Sequence, residues 1–94
     1  MDKFHIVLSP PAVKDLDGLS DTQCSKIITA VNVLKNNPFP RGKPVKKIKG
    51  INSDCYRLRV DKHRVFYMLE NIEIVILRVL SKKDTEKFIR NLNR

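Results

Sequence analysis

The chain has 94 residues, 41% hydrophobic and 31% charged, which suits one globular domain (1–94) with a modest core and excludes a disordered chain. Nineteen Lys and Arg against ten Asp and Glu give a formal charge of +9, which points to a polyanionic partner. No apolar run suits a signal peptide or a membrane span, two cysteines (Cys24 and Cys55) make no disulfide framework, and neither zinc-type Cys/His spacing nor a Gly-rich phosphate loop occurs, so a cytoplasmic protein without metal, cofactor or membrane partner is expected.

The first element is "KFHIVLS", Lys3–Ser9, in which Phe4, Ile6 and Leu8 alternate with their neighbours as in a strand. Ser9 then offers an N-cap and Pro10 a first helical position, with Val13 and Leu16 as a short apolar stripe and Gly18 as the stop. A second helix opens on a Ser20/Gln23 capping box. It carries Cys24, Ile27, Ile28, Val31 and Leu34 on one face and stops at Asn36-Asn37-Pro38. These two helices read as an antiparallel hairpin laid on a sheet.

Pro38–Gly50 reads as a proline-studded connector holding Arg41, Lys43, Lys46, Lys47 and Lys49 and no acid. Three strands follow, Cys55–Val60, His63–Leu69 and Ile74–Leu80. The pairs Asp61-Lys62 and Glu70-Asn71 mark the turns of an antiparallel meander. Ser81 with Asp84 starts a last helix whose apolar side is Phe88, Ile89 and Leu92. The expected fold is α+β: an N-terminal strand, a helical hairpin packed on an antiparallel sheet (βααβββ), and a C-terminal helix.

A two- or four-residue turn at Asp61-Lys62 sets Arg59 opposite Arg64. One sheet face then carries Tyr56, Leu58, Val60, Val65, Tyr67, Ile72, Ile74 and Ile76 and receives the helices. The other carries Arg57, Arg59, Arg64, Phe66, Met68, Val75, Leu77 and Val79, a basic patch beside an apolar floor. Three guanidinium groups on adjacent strands repel one another, and a bound anion relieves that cost. The planar fork of arginine also matches a phosphate bidentately. His63 reads as a solvated turn residue, Tyr56 and Tyr67 as packing, and Cys55 as a small buried thiol.

These residues resemble the RelE/ParE superfamily of bacterial and archaeal type II toxins. The matching pieces are Lys47-Ile48-Lys49-Gly50, Tyr56-Arg57-Leu58-Arg59-Val60, His63-Arg64-Val65-Phe66-Tyr67 and Ser81-Lys82-Lys83-Asp84. The resemblance implies a toxin neutralised by a small cognate antitoxin, with the RelE-like branch favoured. In that branch the toxin enters the ribosomal A site and cleaves mRNA without metal. The ribose 2′-OH attacks the adjacent phosphate and leaves a 2′,3′-cyclic phosphate.

The positions carried over are Arg57 and Arg59 on the substrate strand, Arg64 as phosphate contact, and Lys82, where the family usually has arginine. Lys43, Lys46, Lys47, Lys49 and Lys83 are the expected RNA-backbone contacts. Phe88 departs from the family, since some members have tyrosine there and phenylalanine transfers no proton. Arg57 and Arg59 stand where some members have lysine, and arginine stays protonated at any working pH. Proton transfer then falls to Lys82, Lys83, His63, Asp84 or Glu86, or to groups of the ribosome. Two alternatives stay open: a ParE-like poison of DNA gyrase acting by binding, and a toxin-fold binding protein without activity.

Overall fold

The computed structural model describes residues 4–42, 44–48 and 55–92. In chain order the elements are β1 (His5–Leu8), α1 (Pro10–Asp17), α2 (Asp21–Val33), β2 (Val45–Lys47), β3 (Cys55–Val60), β4 (His63–Glu70), β5 (Glu73–Ser81) and α3 (Lys82–Leu92). The strands form one five-stranded sheet in the order β1-β5-β4-β3-β2. β2 to β5 pair antiparallel, and β1 pairs parallel to β5, which the intervening helices permit as a crossover. The expected α+β architecture is present; the expected N-terminal strand joins the sheet in parallel, which makes it mixed, and the short β2 is an addition.

The helix starts follow their local chemistry. Ser9 Oγ accepts from the Ala12 N–H at 3.2 Å, and Pro10 and Pro11 occupy positions where no N–H is needed. At α2, Ser20 Oγ accepts from the Gln23 N–H at 3.2 Å while Gln23 Oε1 accepts from the Ser20 N–H at 3.4 Å. At α3, Ser81 Oγ accepts from the Asp84 N–H at 3.3 Å.

Both turns of the meander are two-residue loops whose first residue, Asp61 or Asn71, has φ 55°. Asp and Asn tolerate that left-handed backbone better than most residues. The second turn is therefore Asn71-Ile72 and not Glu70-Asn71, and Glu70 extends β4 to pair with Glu73. Ile72, expected on the core face, sits in this loop with 55% of its surface exposed. The supposed connector also contains a strand: Val45 pairs with Leu58 and is fully buried, and the Pro44 carbonyl accepts from the Arg59 N–H at 2.8 Å.

A β-bulge corrects the sequence-based face assignment of β5. Phe66 pairs with Arg78 but Tyr67 pairs with Ile76, leaving Leu77 as the extra residue. Beyond the bulge the faces exchange. Val79, expected beside the arginines, lies in the core, and Arg78 and Leu80 take the arginine side. The core joins Ala12, Ile27, Val31 and Leu34 from the helical segment to Tyr56, Leu58, Val65, Tyr67, Ile74 and Ile76 from the sheet. Ile28 and Val13, which the periodicity places on apolar stripes, remain 38% and 41% exposed because Ile27 and Ala12 face inward instead.

Tyr67 is wholly buried, stacks on Tyr56 with ring centroids 5.5 Å apart, and donates its hydroxyl to the Pro38 carbonyl at 2.6 Å. That bond ties the segment after α2 to the centre of the sheet. Burial raises the phenol's pKa above its ordinary value, so the folded state keeps a proton that the unfolded chain releases. Stability should therefore fall as pH rises through about 10, where an unfolded tyrosine ionises. Tyr67→Phe is expected to cost about 1–3 kcal/mol at neutral pH, by stranding the carbonyl, and to flatten that alkaline decline. Urea titrations at neutral and alkaline pH check both outcomes.

Candidate nucleic-acid interface

Strand register places the basic residues row by row. Arg59 lies opposite Arg64, and Arg64 opposite Leu80. The next row is Lys46, Arg57, Phe66 and Arg78. This is the sheet face turned away from Tyr56, Leu58 and Val65. Phe66 is fully buried on it, because α3 lays Phe88 over its ring at a centroid distance of 4.7 Å. Leu80 is 7% exposed. An apolar seam under α3 is thus rimmed by guanidinium groups.

The rim is electrostatically strained. Partial burial, then the charges of Arg64 and Arg59, lower the Arg57 pKa below the usual arginine value. Arg59 is exposed, and Arg64 is half-buried. Arg64 Nη1 donates to the Asp61 carbonyl at 3.1 Å and to the His63 carbonyl at 3.0 Å. Both bonds use one nitrogen, and among the described residues no bond fills the Nε–Nη2 edge, the side of the fork that can take an oxyanion bidentately.

Arg78 shows what such an edge does when filled. Its Nε and Nη2 donate to the two carboxylate oxygens of Asp15 at 2.7 and 3.0 Å, and this hydrogen bonding raises its pKa. Asp15 Oδ2 also accepts from the Val79 N–H at 2.9 Å. Arg78 therefore serves the fold, while among the described residues the bonds of Arg64 run through Nη1 alone. Sequence reasoning did not single out Arg78. The signal was a conflict, because strict alternation puts it on the core face with Ile74 and Ile76, and only a bulge removes it.

The other expected site residues divide. Lys82 opens α3, its N–H bonded to the Lys62 carbonyl at 3.1 Å, which sets it beside the turn that holds Arg64. Lys83 follows it, and both side chains are exposed. Lys46 shares the row of Arg57, whereas Lys47 pairs with Tyr56 and belongs to the opposite face. Lys43 and Lys49 lie outside the described residues. His63 pairs with Val60 and Ser81, on the side away from the arginines.

Asp84 accepts from the Ser81 hydroxyl at 3.2 Å. It also lines a cleft of about 260 Å³ between α3 and β5, together with Arg78, Leu80, Lys87, Phe88 and Asn91. Phe88 and Ile89 are half-buried, and the Leu92 side chain lies outside the described part. Cys55 is 1% exposed, and burial raises its pKa, so it is an unreactive thiol. No helix among the described residues is long and apolar enough to cross a membrane.

The family model described as "ParE toxin of type II toxin-antitoxin system, parDE" matches residues 6–86. The chain belongs to the RelE/ParE superfamily of type II toxins. Within it the chain is RelE-like. It is 33% identical over 84 residues to a Methanocaldococcus jannaschii protein named "Putative toxin RelE1", covering 87% of this chain and 92% of that one. Its fold matches the toxin-antitoxin crystal structure "archaeal RelE-RelB complex from Pyrococcus horikoshii OT3" with a TM-score of 0.73 and 26% identity, over 85% of this chain and 96% of that one. "Chromosomal ParDE TA system from P. aeruginosa" shares the fold at TM-score 0.64 and 18% identity, over 84% of this chain and 96% of that one.

In this toxin the Asp15 contacts should carry measurable stability. Asp15→Ala strands the Val79 N–H and the Arg78 guanidinium together, at an expected cost of about 1–3 kcal/mol, with solvent screening at half-exposed Arg78 favouring the lower end. Denaturant titrations of Asp15→Ala, Arg78→Ala and the double variant should show losses smaller than additive.

Proposed function

We propose that this toxin is a ribosome-dependent, metal-independent mRNA endonuclease whose catalysis is chiefly electrostatic. The observation that carries this reading is that Arg64, next to Arg57 and Arg59 on one face, is held through Nη1 alone among the described residues. The RelE1 relative, at 33% identity, and the two archaeal RelE–RelB complexes, at 26% and 25%, support it over the ParDE structure, at 18%, whose likeness is of fold. Attack of a ribose 2′-OH on the adjacent phosphate builds negative charge on a phosphorane. Breaking the P–O5′ bond then leaves a 2′,3′-cyclic phosphate and a 5′-hydroxyl. Guanidinium groups fixed around that phosphate stabilise the charge as it develops. Lys46 and Lys83 supply backbone contacts that carry no sequence information.

The 2′-OH proton must leave, and the 5′-oxygen must gain one. His63 lies on the wrong face and Asp84 is engaged with Ser81, so Lys82, Lys83, Glu86 and the ribosome's own groups remain for this task. Phe88, with no hydroxyl, favours a second reading, in which the toxin poisons DNA gyrase by binding alone. In either case the partner that silences it is a small cytoplasmic antitoxin with acidic residues over Arg57, Arg59 and Arg64. The RelE–RelB complexes among its structural relatives and the charge of +9 support that partner.

Controlled expression with parallel mapping of mRNA ends and of DNA double-strand breaks separates the readings. Codon-positioned mRNA ends are expected, and gyrase-dependent breaks without them would replace the endonuclease with the poison. Arg64→Ala should abolish cleavage while shifting stability by no more than about 1 kcal/mol, the scale of its two turn bonds. Arg64→Lys should restore only part, since a lysine lacks the fork.

Phe88→Tyr tests the missing proton-transfer group. General acid–base assistance is worth about 10² to 10⁴ in rate, so a hydroxyl on this ring should raise single-turnover cleavage on purified ribosomes. Adding Arg64→Ala should erase the gain. An unchanged rate beside robust wild-type cleavage assigns the proton transfer elsewhere.

A further inference from the structure

The turn between β3 and β4 does more than reverse the chain. The carbonyls of its consecutive residues Asp61, Lys62 and His63 all point at groups of the candidate site. Those of Asp61 and His63 accept from Arg64 Nη1 at 3.1 and 3.0 Å, and that of Lys62 accepts from the Lys82 N–H at 3.1 Å. Asp61 holds this arrangement with φ 55°, a backbone that β-branched residues resist. Its carboxylate faces the other way, to Lys26 Nζ of α2 at 3.5 Å, and both of those side chains are more than half exposed.

We infer that Asp61 is a positioning residue for Arg64: its left-handed backbone presents the carbonyl that anchors Nη1, so that the Nε–Nη2 edge faces outward to the phosphate. The inference rests on the endonuclease reading for its substrate, but not for its geometry. The anchor belongs to the backbone and not to the Asp61 carboxylate. Contact with Lys26 is a solvated pair of little consequence. What matters is that residue 61 tolerates a positive φ. Glycine and asparagine meet that condition, whereas valine does not. If the carbonyl at 61 rotates, Arg64 Nη1 keeps only the His63 carbonyl, a single bond about which the guanidinium can swing.

The test compares Asp61→Gly, Asp61→Asn, Asp61→Ala and Asp61→Val, each alone and with Arg64→Ala. Arginine side-chain nitrogen NMR on the protein alone reads the anchor. Slow guanidinium rotation with distinct Nη signals at Arg64 is expected in wild type, Asp61→Gly and Asp61→Asn. Averaging is expected in Asp61→Val and, to a lesser degree, in Asp61→Ala. Single-turnover cleavage reads the consequence, since a misplaced contact of this kind costs on the order of 10²-fold in rate. Asp61→Val should fall by that order with little change in ribosome affinity. Adding Arg64→Ala to it should cost no more than Arg64→Ala alone.

Freely rotating Arg64 in the wild type overturns the inference, as does full activity of Asp61→Val beside inactive Arg64→Ala. Should Asp61→Val fail to fold, the ranking of Gly and Asn above Ala decides by the same two readouts. A wild type that holds Arg64 rigidly yet cleaves no mRNA sinks the endonuclease reading and leaves the anchor standing.

Discussion

The Asp15 carboxylate stands in for a missing strand. β1 ends at Leu8, opposite Ile76, while β5 runs on to Ser81. From there Ser9 gives its N–H to the Ile76 carbonyl and its hydroxyl to the Leu77 carbonyl, and Asp15 reaches from α1 to the Val79 N–H. Side chains thus satisfy backbone groups that an edge would leave to water. The bulge falls at this handover. Because it falls there, Val79 turns inward and Leu80 joins Phe66 as the seat of α3. Lys82, Lys83 and Phe88 are carried on that helix, so their placement is tied to the strand that Asp15 holds.

The arginine face is the opposite case, an arrangement that the fold alone does not favour. Arg59 and Arg64 are direct cross-strand partners, and like charges in that relation destabilise a sheet. Arg57, partly buried beside them, feels both. Turn carbonyls relieve part of the repulsion at Arg64, but a carbonyl offers a partial charge where Arg78 receives a full carboxylate. The same guanidinium edge is filled internally on β5 and left open on β4. That contrast separates an arginine neutralised within the fold from one held only by turn carbonyls, on the strength of bond geometry within a single sheet.

Much of this was legible in the residues. Ser9, Ser20 and Ser81 announce their helices, and the alternation in "CYRLRVDKHRVFY" fixes the Arg59–Arg64 pairing through a two-residue turn. β2 was hidden because three residues set no periodicity, and because Pro44 and its lysines read as a loop. Asn71-Ile72 was misplaced by one residue because an apolar side chain at a turn tip is poor evidence of a turn. The bulge was legible only as a contradiction. In "EIVILRVLS" no unbroken alternation keeps both Arg78 out of the core and Val79 in it. Nothing local in the sequence says that a carboxylate from residue 15 resolves it, since that contact spans more than sixty positions.

Phe88 ties the fold to the functional question. Its ring is the cover on Phe66, a task that phenylalanine performs without a hydroxyl to satisfy. Arg57, Arg59 and Arg64 suit a phosphodiester that is cleaved and one that is merely held, because charge stabilisation serves both. What divides those outcomes is proton transfer, and the β3 and β4 side chains on the arginine face include no group suited to it. On the endonuclease reading proposed above, proton transfer falls to α3 and to whatever larger surface the toxin docks against. The sheet carries the guanidinium charge, and the helix that closes over it is seated by the bulge.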